Sequence, residues 1–326
     1  MTCYIGIGAV YVVFISGIVQ ECVDAEKTIS QGYYALILFP LFLAMNMTRN
    51  LKDLAPLSAV GNTFLLTAAI IGVVYSLKDG IGTTHVMVQE KIELYPKFLG
   101  TVFFSMCSPG LILEIEHCMK KPKNYLKPCG VLNWGMAVLI MVHVFVGVVG
   151  YLKWGSEAVG NFIRNHVEND PATMTALIMQ ALAIYFSYGL QCYMPIMILN
   201  KDYALPAIQE GIFKGTPYFW DLVIRIGVSL VTCKELFEGY LASLRGILGA
   251  AIPKLDLFLG LVGAVCIATL GVLIPCTLYL VVNYGNYGRF KWRLVLGVVL
   301  LIIGLVAMLC ASITSLVLIV RFFHTG

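Results

Sequence analysis

Apolar residues along this chain fall in blocks too long for the core of a soluble domain. Between charged or turn-rich breaks, apolar runs cover 4–20, 33–48, 56–77, 98–116, 130–152, 174–199, 219–233, 257–283 and 293–321. Several exceed the roughly 18–20 residues with which an α-helix crosses about 30 Å of hydrocarbon. The runs lack the apolar–polar alternation of barrel strands, and a segment in lipid must satisfy its own backbone hydrogen bonds, so each is predicted to be helical. The pattern predicts an all-α membrane protein, a polytopic helical bundle of about nine spans. A single membrane domain is expected to fill residues 1–326.

Composition strengthens this picture. Of the 326 residues 59% are hydrophobic and 12% charged, against roughly a quarter charged in average soluble domains. The net charge of +4 is spread among loops rather than gathered on one face, so nucleic acid is excluded as a partner. Most of the ten cysteines, among them Cys107, Cys192, Cys266, Cys276 and Cys310, lie inside apolar blocks without a CxxC pair, and read as small hydrophobes. Met1 is followed almost at once by Tyr4-Ile5-Gly6-Ile7 without a basic leader, so no signal peptide is expected before the first run. The densest basic clusters, Lys120, Lys121, Lys123 and Lys127 and then Arg289, Lys291 and Arg293, fall on one side. That side is predicted to be cytoplasmic, with Met1 inside and Gly326 outside, although basic totals on the two sides are nearly equal. The sequon Asn46-Met47-Thr48 then falls at a cytoplasmic helix end and is expected to be unused.

Candidate chemistry concentrates in the fourth and sixth runs. The fourth is interrupted by Ser105-Met106-Cys107-Ser108-Pro109-Gly110. Proline removes a donor and glycine frees the backbone, so this stretch reads either as a discontinuous helix lining a midplane site or as a simple kink. Glu114, Glu116 and His117 close the same run beside the lysine cluster and read as an interfacial charged end. His143, inside the fifth run, is expected to bond a neighbouring helix. Asp221 and Arg225 are spaced for a structural ion pair on one helical face. In the sixth run Tyr188, Gln191 and Cys192 occupy neighbouring positions, as pathway lining or as helix packing. HExxH, P-loop, GxSxG and kinase motifs are absent from the sequence, which argues against an enzyme.

Several segments together resemble the amino acid/auxin permease family, within it the proton-coupled amino acid transporter branch. Arg49-Asn50-Leu51-Lys52-Asp53-Leu54-Ala55-Pro56-Leu57-Ser58 resembles the connection between that branch's fourth and fifth helices. Phe98 to Ser105 followed by Glu116-His117-Cys118-Met119-Lys120-Lys121-Pro122 is similar to its sixth helix and exit. Leu132 to Ala137, Gly150 to Gly155, Tyr188 to Pro195 and Ile252 to Asp256 resemble later landmarks in order and spacing.

The resemblance implies eleven helices in an inverted five-plus-five arrangement, with this chain beginning at the third and the first two absent. It implies secondary transport of small neutral amino acids with protons as the coupling ion, at the plasma membrane or a lysosomal or vacuolar membrane, and no cofactor. It places the solute on Ser105, Met106, Cys107, Ser108 and Gly110, with Tyr11, Tyr188 and Gln191 as walls or gates. Two departures stand out. The family's Phe-Glu-Gly-Ile-Gly run is replaced by Met106-Cys107-Ser108-Pro109-Gly110, so the glutamate is lost. Residues 234–246, with four charges at Lys234, Glu235, Glu238 and Arg245, look inserted. They are expected either to lie on the outer interface as an amphipathic helix after an early end of the seventh span, or to mark a spurious exon edge. The lost glutamate keeps open a second function, a non-transporting nutrient sensor or scaffold.

Overall fold

Each of the nine apolar runs contributes a helix in the computed structural model, which describes residues 1–23, 29, 31–78, 94–106, 112, 115–116, 119–127, 129–155, 158, 161–165, 170–211, 216–244, 260–285 and 291–325. They are α1 (Thr2–Val23), α2 (Gln31–Asn46), α3 (Leu51–Lys78), α4 (Leu94–Met106), α5 (Val131–Trp154), α6 (Pro171–Ile198), α7 (Pro217–Leu244), α8 (Gly260–Val282) and α9 (Trp292–Thr325). No strand occurs among the described residues. By length and composition six of these segments can cross a membrane: Cys3–Val23, Leu51–Lys78, Val131–Trp154, Pro171–Gln209, Gly260–Val282 and Trp292–Leu318. Gln31–Asn46 is a shorter apolar helix. This is a polytopic integral membrane protein.

At one boundary the helix outruns the apolar run. The seventh run ends near residue 233, and α7 continues unbroken from Pro217 to Leu244. Lys234, Glu235 and Glu238 end the apolar run, but residues 234–244 hold no proline and are mostly good helix formers, so charge interrupts the hydropathy without stopping the helix. Residues 245–246 of the apparent insertion lie outside the described residues.

The chain divides into two compact units, Met1–Val86 with Phe145–Ile252, and Met87–Val144 with Pro253–Gly326. The first is built round α1. Of its most apolar window 56% is buried, against 11% for α5, so α1 is a core helix while α5 is sheathed in exposed apolar side chains. Val12, Ile15, Ala35, Phe42, Leu54, Tyr188, Cys192, Ile196 and Val228 form the main cluster, drawing on α1, α2, α3, α6 and α7. Lipid tails are as apolar as these residues, so helices associate through tight packing and hydrogen bonds rather than a hydrophobic gain. Gly8 shows the packing: a β-carbon there would stand 2.9 Å from Thr232 Cγ2 and 3.3 Å from Cys192 Sγ, so α1 lies close on α6 and α7.

The second unit packs α4 and α9 against α8. Within α8 the backbone takes π-helical turns at Gly263–Ile267 and Thr269–Leu273 before regular helix resumes at Ile274–Val282.

Candidate functional site

Two polar arrangements mark the interior of the first unit. One couples α1 to α6. Asp170 caps α6, its carboxylate accepting from the Thr173 amide at 3.4 Å, and Pro171 opens the helix where a missing donor is harmless. Three-quarters of the way along, the Gln191 carboxamide interacts with the phenol of Tyr11 on α1. Gln191 Oε1 is buried and has no hydrogen-bond partner among the described residues. Four residues later Pro195 has no N–H to give to the main-chain carbonyl of Gln191. Gln191 thus carries an unpaired side-chain acceptor beside a phenol and a main-chain carbonyl that Pro195 cannot serve.

The other arrangement knots α2, α6 and α7. Asn46 Nδ2 donates to the Tyr188 hydroxyl at 3.3 Å and to Ser229 Oγ at 2.8 Å. Tyr188 and Thr232 share a hydrogen bond of 2.8 Å, and Thr232 and Ser229 donate to the carbonyls of Ser229 and Arg225 at 3.0 and 2.8 Å. At the end of this chain Arg225 Nη1 donates to the carbonyls of Asn46 at 2.6 Å and Thr48 at 2.9 Å, satisfying groups left open at the C-terminus of α2. Asp221 holds the same guanidinium at 3.0 Å, so the expected ion pair forms. Asp221 also accepts from Asn200 Nδ2 at 2.6 Å and pairs with Arg49 at 3.3 Å, whose guanidinium lies 4.3 Å from the Tyr218 ring centre.

The candidate residues therefore separate. Tyr11 and Gln191 come together. Tyr188 lies in the knot, fully buried with its hydroxyl engaged by Asn46 and Thr232. Ser105, on α4, is exposed and donates to the Val102 carbonyl at 3.0 Å within its own helix. Met106 is the last residue of α4. Cys107, Ser108 and Gly110 lie outside the described residues, as do Glu114 and His117. His143 departs from expectation: it is exposed and its Nδ1 lies 2.9 Å from the Leu139 carbonyl, one turn back on its own helix, where the i−4 carbonyl is within reach of a helical side chain. Asn46 of the sequon is 2% exposed. The sequence singled it out only as a sugar acceptor; its role as a hub between α6 and α7 leaves no local signal. Among the described residues no group of three His, Cys, Asp or Glu side chains is placed to hold a metal.

Comparison with known proteins gives this geometry a context. The family described as transmembrane amino acid transporter protein matches residues 1–317. The proton-coupled amino acid transporter-like protein pathetic of Drosophila melanogaster is 29% identical over 316 residues, 94% of this chain and 61% of the relative. Vacuolar amino acid transporter 3 of Saccharomyces cerevisiae is 24% identical over 317 residues, 94% of this chain and 43% of the relative. Vacuolar amino acid transporter 3 of Schizosaccharomyces pombe is 27% identical over 291 residues, 84% of this chain and 40% of the relative. The chain thus spans between 40% and 61% of the length of these curated relatives. No solved structure matches.

Proposed function

The chain belongs to the transmembrane amino acid transporter family, and from that premise we propose that the protein carries small neutral amino acids across its membrane, driven by protons. The observation that carries this reading is the unpaired Gln191 Oε1 beside Tyr11. A buried acceptor without a donor costs about 1–3 kcal/mol, a penalty tolerated where a ligand supplies the missing hydrogen. The ammonium group of an amino acid carries three such hydrogens. The Gln191 carbonyl freed by Pro195 offers a second acceptor on the same residue, in the manner of irregular backbone at transporter sites. In this reading Tyr11 orients the Gln191 amide and Tyr188 stiffens the wall behind it; Ser105, Met106, Cys107, Ser108 and Gly110 are proposed separately as solute contacts, on the resemblance of their run to the family's sixth helix. Proton coupling is supported by the name of the fly relative, and a vacuolar or lysosomal home by the names of the two yeast relatives, with the plasma membrane as the alternative.

The test is radiolabelled uptake of neutral amino acids into proteoliposomes under an inward proton gradient. Gln191→Leu keeps the bulk of the side chain and removes both amide functions. A charge-assisted hydrogen bond of about 1.5–3 kcal/mol predicts uptake lower by about 10- to 100-fold at subsaturating solute, with unchanged protein abundance. Normal uptake by that variant removes Gln191 from the site. A folded, monodisperse protein that moves no amino acid with or without the gradient favours the sensor or scaffold reading, which the replacement of the family's glutamate by Cys107 supports.

A further inference from the structure

The second unit contains a helix crossing made of backbone. Gly100 of α4 and Gly260 and Gly263 of α8 are all buried. A β-carbon on Gly100 would overlap the carbonyl oxygen of Gly260. One on Gly263 would overlap the carbonyl oxygen of Gly100 and stand 2.9 Å from both the nitrogen and Cβ of Phe104. These obstacles are main chain, which cannot rotate aside. Two other glycines at helix contacts in this unit meet side chains instead: a β-carbon on Gly297 would stand 2.5 Å from Leu280 Cδ2, and one on Gly304 2.6 Å from Val272 Cγ1. Those methyl groups have other rotamers to move into.

The crossing also coincides with the irregular part of α8. Gly263 opens the first π-helical stretch, and a second follows at Thr269–Leu273. Such turns are rare and concentrate at functional positions. The Thr269 hydroxyl donates to the Val265 carbonyl at 2.5 Å and lies 3.3 Å from Met308 Sδ, tying the stretch to itself and to α9. Along α4, Ser105 and Met106 follow Gly100 within two helical turns, so any displacement at the crossing is passed to them by a rigid rod only about 8–9 Å long.

We propose that Gly100 and Gly263 are positioning residues for the solute site at the end of α4: the π-helical stretch of α8 is the template against which α4 seats, and the bare backbone contact sets where Ser105 and Met106 stand. The inference rests on the reading of that end of α4 as part of the solute site. A methyl group on either glycine forces the helices apart by roughly 1 Å, and a misplacement of that size can change a rate or affinity by as much as about 100-fold.

The test compares Gly263→Ala, Gly100→Ala and the control Gly304→Ala, each with and without Ser105→Cys, in reconstituted full-chain protein. Two quantities are read: KM and maximal rate for uptake of a neutral amino acid mixture, and the rate of N-ethylmaleimide addition at residue 105, followed by mass spectrometry of its peptide. The expected result is a KM raised about tenfold or more with a smaller change in maximal rate, and alkylation changed about fivefold, for the first two variants, with the control within about twofold on both. If Gly263→Ala and Gly100→Ala fail to fold, Phe104→Leu replaces them, since it keeps α4 helical while altering what Gly263 packs on; a change of about threefold in the same two quantities is expected. Unchanged values in the folded variants, or equal changes in Gly304→Ala, overturn the proposal. Absence of uptake by the parent protein would overturn the transporter reading alone, because the alkylation arm still decides whether the crossing positions residue 105.

Discussion

The two units hold their helices together by different means. In the first, side chains on α2, α6 and α7 exchange directional hydrogen bonds through Asn46, Tyr188, Ser229 and Thr232, and an arginine caps one helix from another. In the second, α8 meets α4 and α9 closely at glycines, at Gly100, Gly263, Gly297 and Gly304. A hydrogen bond fixes register and rotation together, because the donor has one place to point. A glycine contact fixes distance and leaves register to the shape of the neighbouring backbone. In lipid both routes to association are available, and this chain uses them in separate places.

The comparison can be broken at its strongest point first. Arg225 is 6% exposed and joins Asp221 to two carbonyls at the end of α2. Arg225→Ala leaves a carboxylate without its inner partner and two carbonyls without donors, and should destabilise the protein by about 3–5 kcal/mol in thermal or denaturant unfolding. A loss no larger than that of an exposed substitution would mean that the first unit is held by packing after all. Next in size is Asn46→Ala, which removes two interhelical bonds and should cost about 1–2 kcal/mol. Combined with Ser229→Ala it should fall short of the sum of the single effects, since the pair shares one bond; strict additivity would separate the two residues. Smallest is Thr269→Val in the second unit, whose hydroxyl serves its own helix and a weak sulfur contact; it should shift stability by less than about 1 kcal/mol. A larger shift would show that the second unit also depends on directional bonds and would erase the contrast.

Much of the fold was legible because lipid imposes a simple rule on sequence, long apolar runs, and among the described residues each of the nine runs contributes a helix. The Asp221–Arg225 pair was legible too, because i,i+4 spacing is local. What the same arginine does at its other end was not, since Asn46 lies 179 residues away and nothing near either residue announces the contact. The end of the α7 helix was not legible, because hydropathy reports where an apolar run stops, and a helix can continue beyond it. The π-helical turns of α8 left no mark, as Gly263–Ile267 reads GAVCI, an ordinary apolar run. At the candidate site, Tyr11 and Gln191 were recognisable as polar residues inside apolar helices. Their meeting, and the unpaired oxygen it leaves, depend on how α1 and α6 are rotated, which no pattern of residue types encodes.

The long-range cap on α2 also sets an order of events at the ribosome. The carbonyl of Asn46 is made 179 residues before the guanidinium that will bond it. At about 5–20 residues per second, the end of α2 waits on the order of 10–40 seconds for its donor. Over that interval the knot has no Ser229, no Thr232 and no Arg225, so the first three helices must persist in the membrane as a loose group. The first unit closes only when α7 is delivered.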